Sequence, residues 1–319
     1  MKRSVKGWLL AAAALVVLGG ALFVGVMAAL HWDFSKLSTE IYESNRYDIT
    51  EVYHSISIQT DTADIRLVPS DEGTFVECYE QSNAKHTAAV KDGTLVIGIA
   101  DRRQWYEHIG IQFGSPTVTV FLPQGAYSAL SVTSDTGDVE IAKEFCFERI
   151  EIAEDTGDVV NSACATESVR IRTTTGDICV ENVVAGGMEL SVNSGDVTLR
   201  DVKCEGDLAI TVSTGTAKLS NVTCQSLVSG GDTGDLFLQN VVAAKLFSIT
   251  RSTGDVRFDG SDAAEILVST DTGDVEGRLL TDKVFITETD TGDVRVPHSV
   301  TGGRCEITTD TGDIHITIG

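Results

Sequence analysis

Apolar residues recur in a fixed frame along most of the chain, and one glycine marks each copy of that frame. Every marker glycine follows Thr or Ser, and nine of the ten precede Asp, the exception being Thr216. A period this constant is typical of stacked repeats. The markers fall 19 or 20 residues apart, at Gly137, Gly157, Gly176, Gly195, Gly215, Gly234, Gly254, Gly273, Gly292 and Gly312.

The apolar positions keep register with the glycine. They lie seven and five residues before it, and two and four residues after it. Because side chains alternate across a strand, each pair of positions points to one side. Glycine permits the positive φ of a tight turn, and Asp and Thr can hydrogen-bond the turn backbone. Each repeat therefore predicts a strand, a turn at Thr-Gly-Asp, a second strand and a return loop.

One such unit cannot bury its apolar face alone, whereas parallel stacking gives each inward column neighbours above and below. The sequence therefore predicts an all-β fold, a parallel β-solenoid of about ten to eleven coils preceded by one transmembrane helix. Propeller blades need repeats about twice as long, and separate hairpins do not explain columns in one frame. The predicted division is an anchor at 1–32, a linker at 33–49, an irregular β cap with a first degenerate coil at 50–129, and the regular solenoid at 130–319.

The N-terminal segment differs from the rest. Three basic residues in the first six precede an uncharged stretch, and Trp8–Leu30 would span about 34 Å as a helix. A bilayer core is about 30 Å thick, so a single-pass anchor is predicted, with a cytoplasmic N-terminus and an extracellular C-terminal domain. A cleaved signal peptide, with Met27-Ala28-Ala29 near the cut, is the alternative. Both interpretations export the same domain.

The charge is strongly asymmetric. All 47 acidic residues follow position 32, against 21 of the 24 basic residues, so the part beyond it carries a formal charge of −26. Nucleic acid and anionic lipid headgroups would be repelled, whereas cations or a basic partner would be attracted.

The frame Val/Ile-x-Val/Ile-x-Thr-x-Thr-Gly-Asp-Val-x-Val resembles the bacterial β-strand-repeat family of candidate adhesins, whose molecular function is unknown. Val118-Thr119-Val120-Phe121-Leu122-Pro123 is similar to the lead-in of that family, and the resemblance covers roughly residues 50–319. It implies a surface or envelope role, often in association with envelope-stress systems. It implies no reaction and supplies no catalytic residues.

Aspartates fill two columns, one directly after the glycine and one two residues before it. Like charges about 4.8 Å apart repel by about 0.9 kcal/mol in bulk water. Exposure and hydrogen bonds from turn N–H groups can offset this repulsion. Bound Ca²⁺, which prefers oxygen ligands, is the alternative, and no other cofactor is predicted. The calcium hypothesis concerns Asp235, Asp255, Asp274 and Asp293.

Seven cysteines are present, and none forms a CxxC pair. Cys146, Cys204 and Cys224 share the position nine residues after the marker glycine, where other coils have Ala. Cys204 and Cys224 would lie on adjacent coils at a separation compatible with a disulfide, and export would permit oxidation. The alternative is a pair of small buried thiols, since the alanines of that column need no bond.

Enzyme signatures are not recognisable in the sequence. The six histidines have no metal spacing, and no nucleophile elbow, P-loop or dinucleotide fingerprint occurs. A loop with Trp105, Tyr106 and His108 is either a ligand-contacting tip or a segment packed on the cap.

The predicted function is a non-enzymatic cell-envelope scaffold or stress-sensing interaction protein. A surface adhesin is the alternative, and a carbohydrate-active solenoid enzyme a distant one. Because the sequence stops directly after strand residues Ile314 and Ile316, the C-terminal coil is predicted to be uncovered and to dock a protein partner or a second copy.

Overall fold

A computed structural model describes residues 3–32, 42–101 and 115–319. Helix α1 (Arg3–Ala29) contains an apolar stretch, Ala11–Ala29, that is long enough to cross a membrane, a property that signal sequences share. The strands that follow are, in the N-terminal part, β1 (Tyr42–Ile49), β2 (Ser55–Thr62), β3 (Asp64–Pro69), β4 (Thr74–Gln81), β5 (Ala84–Lys91), β6 (Thr94–Asp101) and β7 (Thr117–Leu122).

The repeat region supplies the remaining strands. They are β8 (Gly125–Thr136), β9 (Val139–Ile141), β10 (Phe145–Thr156), β11 (Val159–Asn161), β12 (Cys164–Thr175), β13 (Ile178–Glu181), β14 (Val184–Ala185), β15 (Met188–Ser194), β16 (Val197–Cys204), β17 (Leu208–Thr214), β18 (Ala217–Thr233), β19 (Leu236–Thr253), β20 (Val256–Thr272), β21 (Val275–Leu279), β22 (Lys283–Thr291), β23 (Val294–Arg295), β24 (Gly303–Thr311) and β25 (Ile314–Ile318).

The coils stack in parallel and in one frame, which confirms the predicted β-solenoid of about ten turns. Ile150, for example, pairs in parallel with Leu130 on one side and with Val169 on the other. Side chains of the predicted apolar columns are almost all fully buried and form one continuous core. The return segment contributes a short third strand in places, such as β14, where the sequence predicted only a loop.

Glycine is required at the Thr-Gly-Asp corner for two reasons. The φ angles of the marker glycines lie between +130° and +157°, a region that side chains disfavour. The coils also approach so closely that a Cβ added at Gly234 would lie 1.8 Å from the carbonyl oxygen of Gly215. The same overlap recurs at the other markers, so each glycine packs on the backbone of a neighbouring coil.

A second corner, six residues after the marker, was missed in the sequence. Asn182, Asp201, Asn221 and Asn240 occupy it with φ between +53° and +58°, a conformation that Asn and Asp tolerate better than most residues. Their side chains bond along the stack, and Asn221 Nδ2 donates to Asp201 Oδ1 at 2.8 Å. The recurrence of Asn and Asp in one column was the available signal.

At the N-terminal end, the coils do not follow chain order. The first coil, β2 with β3, lies between β8–β9 on one side and β6–β7 on the other. Antiparallel strands then finish this end, because β4 pairs with β7 and with β1, while β5 pairs with β6. We call β1, β4, β5, β6 and β7 the cap. The domain division predicted from the sequence stays a prediction.

The C-terminal end also departs from chain order, and this corrects a prediction. Strands β24 and β25, which end the chain, lie between β20–β21 on one side and β22–β23 on the other. The coil that contains Ile314 and Ile316 is therefore buried within the stack, and the final coil in space is β22–β23. Sequence order was taken as spatial order, and the chain instead turns back and inserts its last coil.

A buried ion pair joins this final coil to the coil two layers below. Lys283 Nζ lies 2.5 Å from Asp262 Oδ1, and both side chains are less than a tenth exposed. Lys283 passes over Gly303, its partner on β24, where a side chain would collide with the Ala264 carbonyl oxygen. Thr281 Oγ1 donates to Asp262 Oδ2 and accepts from Lys283 Nζ, at 2.7 Å in each case. These contacts fix the inserted coil between its neighbours.

Candidate functional site

The aspartates that follow the marker glycines form a hydrogen-bonded ladder along one edge of the rod. Asp255 Oδ1 accepts the backbone N–H of Asp274 at 3.0 Å, and Asp235 Oδ1 accepts that of Asp255 at 2.9 Å. The ladder begins at Asp64, whose Oδ1 accepts the N–H of Asp138. Each carboxylate below the final layer therefore receives a donor from the next coil, which offsets the repulsion between neighbours.

The geometry changes the calcium hypothesis without testing it. The four aspartates are not consecutive, because Asp313 lies between Asp274 and Asp293: Asp274 Oδ1 accepts from Asp313, and Asp313 Oδ1 accepts from Asp293. One oxygen of each mid-ladder carboxylate is already engaged. The second predicted column is exposed, at Asp135, Asp155, Asp232, Asp271, Asp290 and Asp310. Calcium binding stays a prediction.

One disulfide lies among the described cysteines, and it does not include Cys204 or Cys224. Cys204 and Cys224 are buried free thiols, and burial is the first cause of the raised pKa of each, which reaches about 12 at Cys224. The disulfide joins Cys146 to Cys164, with a Cα separation of 4.7 Å. Counted from the preceding glycine these two positions differ, but a register shift after Phe147 brings them opposite one another. Fixed-offset counting could not detect that shift.

A buried polar network lies in the cap and was not predicted. Glu80 Oε2 accepts from the backbone N–H of His86 and lies 2.8 Å from His86 Nδ1, while Asn45 donates to Glu80 Oε1 at 2.7 Å. His86 Nε2 lies 3.0 Å from Thr60 Oγ1. Cys78 completes the one group of three His, Cys, Asp or Glu ligand atoms within 4.8 Å among the described residues.

This network has the order hydroxyl, imidazole, carboxylate, which is also the order of a catalytic triad. Thr60, Glu80 and His86 are each at most 2% exposed, so the side chains present no reacting atom to solvent. Burial and the charge of Glu80 raise the pKa of Cys78 to about 12, which keeps it a thiol. The arrangement therefore orients the cap strands, and the hydrogen bonds of Glu80 and His86 are already made within it.

Exceptions in the apolar columns mark buried ionisable groups. Ser229, which breaks one column, accepts from Arg251 Nη2 at 2.9 Å. Arg251 is 2% exposed, and Gly231 makes room for it, since a Cβ there would lie 2.1 Å from Nη1. Glu154 is 3% exposed with neither carboxylate oxygen hydrogen-bonded, and burial raises its pKa to about 7. Glu154, Gly231 and Arg251 lie in the column three residues before the marker glycine, and Ser229 lies in the column five residues before it.

The final coil in space presents an unpaired edge, which we call the open end (residues 283–296). Among the described residues, β22 pairs only with β24, and β23 only with β25. Val284 is 37% exposed, Ile286 50% and Val294 43%. Val294 stays in register with Ile314, which is fully buried one layer below. The core therefore runs to the last layer, where no other part of the described chain covers it.

The predicted aromatic loop cannot be placed, because Trp105, Tyr106 and His108 lie outside the described residues. Of the other histidines, only His86 belongs to a buried ligand-type cluster, and His315 lies on the outer face of β25.

Sequence comparison identifies a family. The profile of Toastrack DUF4097, a domain family of unknown function, matches residues 53–213 and 205–319. No curated protein is significantly similar to this chain.

Similar solved structures include candidate adhesins from three bacteria. The protein from Bacteroides fragilis is 13% identical, with 87% of this chain and 97% of that chain covered and a TM-score of 0.44. The protein from Parabacteroides distasonis is also 13% identical, with coverages of 85% and 98% and a TM-score of 0.44. The protein from Parabacteroides merdae is 10% identical, with coverages of 88% and 98% and a TM-score of 0.39. At these values the likenesses carry no inference about function.

Proposed function

Because the chain belongs to the Toastrack DUF4097 family, a family without an assigned reaction, we propose that it is a non-enzymatic interaction scaffold of the bacterial cell envelope. In this proposal α1 anchors the chain in the membrane with its N-terminus in the cytoplasm, and the rod lies outside. The basic residues before the apolar stretch and the acidic charge after it support this orientation.

The open end carries the proposal. An unpaired strand edge is a template for another strand, and natural proteins usually cover, shorten or charge such edges. Here the cap covers one end of the stack, whereas the open end keeps two half-exposed apolar side chains, Val284 and Ile286, on its outer face. We propose that an extended segment of another envelope protein pairs with β22 and completes the last layer.

The chemistry of the partner follows from the outward side chains of β22. Val284 and Ile286 are followed on the same face by Glu288 and Asp290, which are both exposed. A complementary strand therefore carries apolar side chains opposite the first pair and Lys or Arg opposite the second. The charge of −26 beyond residue 32 would speed the encounter with such a basic segment.

Site-specific photo-crosslinking tests this proposal in living cells. A photoreactive residue replaces Ile286 in the full chain, and the matched control replaces Val160, which is 38% exposed but lies on β11 with strands paired on both sides. We expect a discrete adduct with a second protein from position 286, and none from position 160. Glu288→Lys together with Asp290→Lys should reduce the yield at least fivefold.

Three outcomes contradict the proposal in different ways. Equal adducts from positions 286 and 160 would show that the open end is not a specific surface. An adduct only with a second copy of this chain would replace the partner by self-association. The alternative function, a surface adhesin, would give no adduct within the cell envelope and a saturable interaction with a host or extracellular ligand.

A further inference from the structure

A groove lies on the side of the rod and ends at β25, the layer below the open end. It measures about 830 Å³, within the usual range for ligand sites. Two outward columns line it, three and five residues after the marker glycine, over five successive layers of the stack. The first column is Lys218, Phe237, Arg257, Glu276 and His315, and the second is Ser220, Gln239, Asp259, Arg278 and Thr317. We call this surface the side groove.

The inserted C-terminal coil helps to build the side groove. Because β25 pairs with β21, His315 lies beside Glu276, and Thr317 beside Arg278. If the coils were stacked in chain order, β23 would lie beside β21, and Arg295 would take the place of His315 in the groove. The departure from chain order thus sets the side chains at one end of the groove.

A local irregularity lies in the lining of the groove. Gly277 occupies an apolar column, has a φ of +134°, and lies so close to Phe258 that a Cβ would come within 2.0 Å of the Phe258 carbonyl oxygen. The register between β20 and β21 then shifts after Asp259. Bulges of this kind are frequent beside binding sites, and departures from a regular pattern tend to mark functional positions.

Four of the five charged side chains in the side groove compensate one another in pairs, and the fifth, Lys218, pairs with Asp196 beside the groove. Arg257 Nε lies 2.8 Å from Glu276 Oε1, and Arg278 Nη2 lies 3.2 Å from Asp259 Oδ1. All four side chains are 46–62% exposed, so their remaining donors and acceptors face the groove. The groove therefore offers many hydrogen-bonding groups with little net charge.

Two phenylalanines line the groove, and Phe237 is the one whose ring is accessible, because Phe258 is only 3% exposed. The Phe237 ring is half-buried, with the Arg257 guanidinium carbon 5.6 Å from the ring centroid. An apolar ring next to planar polar groups can stack on a sugar ring while neighbouring side chains bond its hydroxyls. A peptide could not add here as a strand, since β19, β20 and β21 are paired on both sides.

We propose that the side groove binds an extended, uncharged glycan chain, with Phe237 stacking on one sugar ring and Gln239, Asp259 and Arg278 bonding its hydroxyls. Compensated charge excludes a polyanion as the preferred ligand, and the exposed ion pairs exclude an acyl chain. This site is independent of the open end, so neither proposal depends on the other.

Titration calorimetry of the full chain in detergent micelles tests the proposal with three probes. These are hexamers of glucose and of N-acetylglucosamine, both β-1,4-linked, and hexagalacturonate as the charged comparison. We expect saturable binding of at least one neutral hexamer, weakened at least tenfold by Phe237→Ala and by Arg278→Ala. The matched control is Val160→Ala, at the same position of an earlier coil on the same face, and it should leave the affinity unchanged.

Thermal unfolding of each variant separates loss of binding from loss of fold. Phe237 and Arg278 point outward, so both variants should unfold at the temperature of the unmodified chain. Three results would overturn the proposal: no binding of either neutral hexamer, binding unaffected by Phe237→Ala, or tighter binding of hexagalacturonate.

Discussion

At the N-terminal end of the rod, antiparallel strands of the cap follow the last parallel layer. At the other end, β22 and β23 have neighbours on one side only within the part of the chain that the structure describes. Both ends depart from chain order in the same way, with an intervening segment placed outermost. The cap buries a polar network around Glu80 and His86, while the open end exposes Val284 and Ile286. The end of the stack that is covered is therefore covered by antiparallel strands, and not by an irregular coil alone.

Substitution of a marker glycine should give the largest difference in stability between the middle of the rod and its open end. Gly234→Ala places a Cβ 1.8 Å from the Gly215 carbonyl oxygen at a φ of +130°, and the coils on both sides must move. We expect a loss of about 3 kcal/mol or more in the free energy of unfolding, or failure to fold. Chemical denaturation followed by circular dichroism measures it.

Two further glycine variants serve as references for the loss of stability expected in Gly234→Ala. Gly125→Ala, where a Cβ meets nothing within 4 Å, should change the stability by less than about 0.5 kcal/mol. Gly292→Ala meets the Gly312 carbonyl oxygen but has a coil on one side only, so hydrogen exchange should increase in β22 and β23 alone. An equal loss at Gly234 and Gly292 would mean that the open end is as cooperative as the middle.

Lys283→Met should detach the open end specifically. It leaves the Asp262 carboxylate buried without its cation, which typically costs about 3 kcal/mol, while the final coil loses its connection two layers down. Hydrogen exchange of β22 amides should become much faster, with little change in the cap. Arg149→Met is the control, since its partner Glu167 is 2.7 Å away and both are more than half exposed, a pair worth at most about 1 kcal/mol.

Glu154→Gln should change the free energy of unfolding in a pH-dependent way. Glu154 lies in the half of the rod next to the cap, so this effect belongs to that half and not to the open end. Burial raises the pKa of Glu154 in the folded chain to about 7, above the value of about 4.3 in an unfolded chain. The carboxyl group therefore costs nothing below pH 4, destabilises increasingly as pH rises from about 4 to 7, and costs a constant amount above 7. At about 1.36 kcal/mol for each pKa unit, the variant should be more stable at pH 8 by up to about 3.5 kcal/mol.

Thermal unfolding at pH 5 and pH 8 tests this sign. The gain from Glu154→Gln should be small at pH 5 and larger at pH 8, whereas Glu151→Gln, at an exposed position of the same strand, should show no such difference. A gain that is equal at both pH values would show that the carboxylate is solvated in the native state.

The regular part of the fold was predictable because period and columns follow from local chemistry. Each turn needs its own glycine, and each inward column needs an apolar residue, so every coil repeats the signal. The order of layers at the two ends was not predictable, because β22 and β24 carry the same frame and fit either position. One side-chain contact that the observed order makes is that of Lys283 with Asp262, and it joins residues of different columns.

The candidate sites were predictable to the same extent, in their columns but not in their contacts. The aspartate column was visible in the sequence, but its ladder from side chain to backbone was not. The lining of the side groove includes Gly277, which looked only like an exception to an apolar column. The Cys146–Cys164 bond depends on a register shift that a constant spacing hides. Sequence patterns thus locate the columns, and local departures from them locate the sites.

The smallest expected effect compares aspartates in the middle and at the open end of the ladder. Asp255→Ala removes the acceptor for the Asp274 N–H and should cost about 1 kcal/mol in the free energy of unfolding. Asp293 lies in the final layer, where no further coil donates to it among the described residues, so Asp293→Ala should cost less than about 0.5 kcal/mol. Equal costs would mean that the ladder extends beyond the open end, which a bound partner strand would explain.

Titration calorimetry with Ca²⁺ on the same variants tests the calcium hypothesis. If the ladder binds Ca²⁺, the unmodified chain should release or absorb heat on titration, and Asp255→Ala should abolish that heat. The absence of heat at millimolar Ca²⁺ would contradict the hypothesis.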